Sequence, residues 1–306
     1  MSCEGCPSKG NCSKSEGSCG IVNNPNNISG TLVGVMSGKG GVGKSSISVL
    51  LARQLARKGL KVGIMDADIT GPSIPKAFGL TKKAHATDLG IMPEETHMGI
   101  KVMSINLLLE NADQPVVWRG PVLSGAVTQF WTDVAWGELD VLFIDMPPGT
   151  GDVPLTIYQS LPLDGNIIVS TPQTLVQMVV GKAHKMADML NIPILGIVEN
   201  MSCVICPDCG KRIPLFGDSA SLEEAADNMG IPVLAKLPMN ADIARLCDSG
   251  EIERVVCEEM APAVDAVETL LKKIGKFGLL LPKRNNEPAS IWMQARCFKY
   301  GYRFFL

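Results

Sequence analysis

The sequence predicts an α/β fold, a mostly parallel sheet with helices on both faces, and three observations lead there. From Thr31 onward, short β-branched runs alternate with longer helical segments. A glycine-rich stretch ending in Gly43-Lys44-Ser45 lies between the first such run and a helical segment. Two later runs end on a carboxylate, Asp66 and Asp145, where a parallel sheet gathers its ligand groups.

Taken in order, residues 1–20 are rich in Cys, Gly, Ser and Lys and nearly devoid of large apolar side chains, so they form no core without a bound ion or cluster. Residues 21–30 read as a linker, and residues 31–282 as the α/β domain. Its strands are expected at Leu32 to Ser37, Lys61 to Asp66, Lys101 to Ile105, Val141 to Asp145, Asn166 to Ser170, Ile194 to Glu199 and Val233 to Leu237. Helices are expected at Lys44 to Lys58 and Thr174 to Leu190, with apolar residues at helical spacing. Met178, Met186 and Met189 read as gap-filling core residues. Residues 283–306 are a basic tail with interleaved aromatic residues; its apolar face is not clean enough to predict membrane docking.

Composition bounds the partners. The chain has 306 residues, 46% of them apolar and 19% charged, with a formal net charge of -3. Nothing in that balance attracts nucleic acid or an anionic membrane. No apolar run reaches the roughly 18 residues of a spanning helix, and no secretory signal is visible, so a cytoplasmic location is expected. Thiols there stay reduced, so clustered cysteines bind metal more often than they pair.

Gly38, Gly43, Lys44 and Ser45 satisfy G-x-x-x-x-G-K-S, directly after an expected strand and before an expected helix. In such a loop, glycines let consecutive backbone N–H groups face phosphates, and the helix N-terminus adds partial positive charge. Lys44 would neutralise the β and γ oxygens, and Ser45 would ligate magnesium. Asp145 is placed to hold the magnesium shell through water, and Asp66 and Asp68 end a strand in the same way. One of that pair would support the metal while the other positions or deprotonates the attacking water.

The loop Gly38-Lys39-Gly40-Gly41-Val42-Gly43-Lys44-Ser45, followed by Ser46, resembles the deviant phosphate loop of the MinD, ParA and nitrogenase iron protein class. Its mark is Lys39. The resemblance implies that this lysine reaches a partner subunit's ATP, so that the working unit is a homodimer. The segments from Asp66 to Ser73 and from Asp145 to Asp152, with Trp118-Arg119-Gly120-Pro121 and Gln129-Phe130-Trp131, are similar to the Mrp-type iron-sulfur cluster carriers. That likeness runs from about Thr31 to about Leu271. It implies an ATPase that delivers clusters to recipient apoproteins, with Asn200 and Pro238 flanking the adenine base.

Of ten cysteines, Cys203, Cys206 and Cys209 form one group and Cys3, Cys6, Cys12 and Cys19 another. The Cys206-x-x-Cys209 spacing lets two thiolates converge on one metal or cluster. Two ligands are incomplete, so either Cys203 and another residue contribute or two chains each give a pair. The resemblance implies the second, with a labile 4Fe-4S cluster bridging Cys206 and Cys209 of two subunits. Structural zinc and a redox disulfide are the competing readings, and Cys203 stands where the family usually has an aromatic residue. The set Cys3, Cys6, Cys12 and Cys19 resembles the N-terminal extension of the eukaryotic cytosolic scaffold members, with Cys19 substituting for a missing upstream cysteine. A 4Fe-4S cluster, zinc and an unliganded tail all stay open there. Two other classes compete for the whole chain: an ATP-driven electron donor with a similar bridging cluster, and a positioning ATPase for which the cysteines are incidental.

Overall fold

The computed structural model describes residues 27, 30–69, 71, 73–109, 120–217 and 219–274. The first half of the chain runs β1 (Thr31–Ser37), α1 (Lys44–Arg57), β2 (Val62–Asp66), α2 (Ile74–Ala77), β3 (His85–Thr87), β4 (Gly90–Met92), β5 (Glu94–Glu95) and β6 (Lys101–Met103). Then come α3 (Gly120–Thr132), β7 (Val141–Asp145), α4 (Asp152–Ser160), β8 (Gly165–Ser170), α5 (Thr174–Met189) and β9 (Ile194–Glu199). The last part holds β10 (Val204–Ile205), β11 (Arg212–Ile213), α6 (Ser219–Asn228), β12 (Val233–Lys236), α7 (Ala241–Asp248) and α8 (Ala261–Lys273).

One eight-stranded sheet has the order β12-β9-β8-β1-β7-β2-β6-β5. Every pairing in it is parallel except β5 with β6. β1 is central and buried along its whole length. Alternation sends Val33 and Val35 into the core under α1 and α8, and Leu32 and Met36 into the core under α3 to α6. A strand buried on both faces reads as a continuous apolar run, which is why β1 stands out in the sequence without polar alternation. Gly34 is required in β1 because a Cβ there would lie 2.0 Å from Asn166 Oδ1 on the neighbouring strand.

The seven expected strands of the parallel sheet all form, with small changes at their ends. The strand at Lys101 stops at Met103, and Ile105–Leu107 is a short 3-10 turn instead of a strand end. Met189 is 81% exposed and corrects the expectation that it packs in the core. The short strands β3, β4, β5, β10 and β11 were not anticipated, since runs of two or three residues leave no readable period. Cys3, Cys6, Cys12 and Cys19, the linker up to residue 26, Trp118-Arg119 and the tail 283–306 lie outside the described residues. Among the described residues no helix is long and apolar enough to cross a membrane.

Candidate functional site

Parallel strands deliver their C-terminal ends to one edge of the sheet, and the chain uses that edge for its charged groups. β1 runs into residues 38–43, where Gly41 and Gly43 both take φ 80, a left-handed conformation that suits glycine. α1 begins at Lys44 with Gly43 as its N-cap and no side-chain cap, so its first N–H groups face the loop. The loop is anchored from below, because the Gly149 N–H donates to Ser37 O at 2.8 Å. That bond ties the segment after β7 to the base of the loop.

The register places Asp66 of β2 directly opposite Asp145 of β7. Asp145 is fully buried and is the hub of the site. Its Oδ2 accepts from Lys44 Nζ at 2.8 Å and from Ser45 Oγ at 2.6 Å, and its Oδ1 accepts from Ser48 Oγ at 2.6 Å. Lys44 Nζ also lies 3.8 Å from Asp68 Oδ2. Asp66 Oδ2 accepts from Ser104 Oγ at 3.0 Å, and its Oδ1 accepts from the Asp68 N–H at 3.2 Å. Burial, and next the negative charge of Asp145, raise the Asp66 pKa well above the usual carboxylate value. Asp68 is more open, with 15% of its side chain exposed. Lys39, Gly40 and Gly41 are exposed, and Ser46 shares a hydrogen bond with the Cys247 thiol of α7.

The structure thus brings Lys44, Ser45, Asp66, Asp68 and Asp145 together as the sequence suggested. Ser48 and Ser104 were missed. Ser48 follows Lys44 by one helical turn and so shares its face, a signal that was present. Ser104 arrives from the end of β6, and no local pattern announces it. Asn200 is next to the loop, where its Nδ2 donates to Val42 O at 2.9 Å and closes over Gly43. Pro238 is half-buried just beyond β12.

Cys206 and Cys209 occupy the turn of the β10–β11 hairpin, closed by the Cys206 N–H to Lys211 O at 3.0 Å and the Gly210 N–H to Cys206 O at 2.9 Å. Cys209 is exposed and Cys206 half-exposed. The Cys206 sulfur accepts from the backbone N–H of Cys209, then that of Asp208, and then the Cys209 thiol, which lowers its pKa below the ordinary thiol value. A lowered pKa means that the thiolate persists to lower pH. The alkylation rate of Cys206, followed by peptide mass spectrometry, is therefore expected to fall off at lower pH than that of free cysteine in the same buffers. Coincident profiles would show that the turn does not favour its thiolate. Cys203 is buried, and its Sγ accepts from Ser202 Oγ at 3.9 Å. Among the described residues no three His, Cys, Asp or Glu side chains gather around one metal position, so Cys203 does not complete the pair.

A phosphate loop between a central parallel strand and its helix, with carboxylates at the ends of the next two strands on one side of it, defines a P-loop NTPase of the MinD and ParA architecture. Residues 29–275 match the family model ParA, described as NUBPL iron-transfer P-loop NTPase, and the chain belongs to that family. It is 44% identical over 273 residues to the iron-sulfur cluster carrier protein of Clostridium perfringens, covering 84% of this chain and 95% of that one. The carrier protein of the same name from Methanocaldococcus jannaschii is 47% identical over 255 residues, covering 81% and 87%. Among solved structures, the nucleotide-binding protein of Archaeoglobus fulgidus in complex with ADP, in which cobalt was found, superposes with a TM-score of 0.68 at 45% identity. That superposition covers 76% of this chain and 90% of that one. The cell division ATPase MinD of Pyrococcus furiosus, at 19% identity and TM-score 0.54 over 82% and 100%, shares the fold.

Proposed function

We propose that the protein is an ATP-hydrolysing carrier of iron-sulfur clusters, working as a homodimer that holds a 4Fe-4S cluster as cargo and passes it to apoproteins. One observation carries the reading. Cys206 and Cys209 share one surface hairpin turn, three residues apart, with no third ligand beside them among the described residues. A tetrahedral iron-sulfur site wants four thiolates, and a second copy supplies the missing two across a symmetry axis. Ile205, Ile213, Leu215 and Met239 are exposed around this hairpin, an apolar rim that suits such a contact. The relatives named as cluster carriers point the same way. A cytoplasmic location goes with this reading, because thiols that hold a labile cluster have to stay reduced.

At the nucleotide site, Gly38 to Ser46 would wrap the phosphates of ATP, with Lys44 neutralising the β and γ oxygens. Ser45 Oγ and Asp145 Oδ2 lie 2.6 Å apart, hard oxygen donors of the kind magnesium takes. A magnesium ion held there would offset charge on the phosphate oxygens. Asp68 is the carboxylate for the attacking water, because it is the more exposed of the two and lies near Lys44, whereas Asp66 is buried and bound to Ser104. Lys39, exposed on the loop, serves the partner's nucleotide. Asn200 and Pro238 take the adenine side. Cys3, Cys6, Cys12 and Cys19 would hold a second metal group.

Anaerobic reconstitution, followed by incubation with an apoprotein acceptor and ATP, tests the whole reading. The absorbance of the cluster is expected to leave the carrier and appear on the acceptor. A cluster that stays on the protein through repeated oxidation and reduction would instead identify an electron donor, and a chain that takes up no iron would end the carrier reading.

A further inference from the structure

The chain between β9 and α6 leaves the sheet after Glu199 and returns at Ser219, and both Cys206 and Cys209 lie on this excursion. Its base is stapled. Ser219 Oγ donates to Glu199 Oε1, and the fully buried Glu199 carboxylate also lies 3.7 Å from Lys236 Nζ of β12. The Asn200 N–H donates to Ser170 O and the Ser202 N–H to Leu237 O, both at 2.8 Å. The Met239 N–H donates to Cys203 O, again at 2.8 Å. These bonds fasten the foot of the excursion to β8 and to the chain beyond β12.

The rest of the excursion leans on the phosphate loop. Asn200 Nδ2 donates to Val42 O at 2.9 Å. Met201, just before the hairpin, and Phe216, just after it, line a cleft of about 150 Å³ together with Lys39, Gly41, Thr171 and Gln173. Met201 is held at φ 57, a left-handed conformation that is strained for a residue with a side chain, and such strain persists only where surroundings impose it. Both ends of the thiol-bearing hairpin therefore border the segment that has to curl around phosphates, while the backbone at its foot is fastened to the sheet.

We propose that Asn200, Met201 and Phe216 form a relay through which nucleotide on the phosphate loop changes the spacing and exposure of Cys206 and Cys209. The proposal rests on the reading that the loop binds ATP, and it adds the physical route by which that binding reaches the thiols. Phe216 is the residue to test, because it belongs to neither buried core and borders the cleft beside the phosphate loop without being one of the residues 38–46 expected to hold phosphate and magnesium.

The experiment is peptide-resolved alkylation of Cys206 and Cys209 in the full-length, reduced, metal-free protein, with and without a non-hydrolysable ATP analogue and magnesium. Nucleotide is expected to change the wild-type rates by about fivefold or more, the lower end of ordinary coupling between sites. In Phe216→Ala that ratio is expected to fall to about one, within the range by which mutations between two sites change their coupling, and Phe216→Tyr is expected to restore it. Nucleotide affinity by titration and nucleotide-driven association by sedimentation should match wild type in both variants, which separates a relay from a folding or dimerisation defect. Wild-type rates that ignore bound nucleotide, or a Phe216→Ala variant that keeps the full ratio, would overturn the relay and leave the carrier reading standing. A protein that binds no nucleotide at all would remove the relay together with the ATPase part of that reading.

Discussion

Lys39→Ala is expected to lower ATP hydrolysis by about three to five powers of ten, the range found when a cation supplied in trans is removed from other nucleotidases. Nucleotide affinity and thermal stability are expected to stay near wild type. Lys39 is exposed, whereas Lys44 is 5% exposed and paired with the fully buried Asp145. Removing Lys44 would leave that carboxylate uncompensated, at a cost of about 3–5 kcal/mol, and would confuse folding with chemistry. Lys39→Ala avoids this. The decisive form of the measurement mixes Lys39→Ala subunits with Lys44→Ala subunits that thermal melting has first shown to be folded. If Lys39 serves the partner's nucleotide, the mixture regains hydrolysis that neither variant shows alone, because one composite site has both lysines. A mixture as inactive as its components would place Lys39 at its own subunit's nucleotide and would weaken the case for a catalytic dimer.

Replacing both cysteines of the hairpin turn, Cys206→Ala with Cys209→Ala, is expected to remove iron and sulfide equal to one 4Fe-4S cluster for every two chains. Anaerobic reconstitution with metal and sulfide analysis reads this directly. The fold should be unaffected, because both side chains lie on a surface turn that is also closed by backbone bonds, Cys206 N–H to Lys211 O and Gly210 N–H to Cys206 O. Any iron that remains would belong to Cys3, Cys6, Cys12 and Cys19. Unchanged iron content would move the metal entirely to those residues and return the ATPase core to the positioning class, whose fold it shares with MinD. Cys203→Ala is the control, since Cys203 is buried and apart from the pair.

Much of the fold was legible because its signals are local. β1, β2, β7, β8 and β9 are buried along most or all of their length, so each appears in the sequence as an unbroken apolar run between helical segments. The phosphate loop was legible for the same reason, its glycines, lysine and serine being adjacent in the chain. The edge strand β5 and the small hairpins β3–β4 and β10–β11 were not, because two or three residues give no period and their pairing is decided by what they pack against. Met189 shows the opposite limit. Its sequence neighbourhood reads as an apolar helix face, yet the helix turns it to solvent.

The sequence by itself determined which residues form the phosphate-loop pattern, which carboxylates end strands, and which cysteines are spaced to share a metal or cluster. Those are properties of short segments, and the backbone conformation they need is set within a few residues. Only the tertiary structure decided how the groups meet. Asp66 stands opposite Asp145 because β2 and β7 pair in parallel across a long stretch of chain. Ser48 and Ser104 join the two carboxylates because a helix and a distant strand end at the same edge of the sheet. The residues flanking the cysteine hairpin lie beside the phosphate loop because β9 is carried beside β8, and β8 beside β1. Burial and register depend on the whole set of packed elements, so no window of sequence contains them.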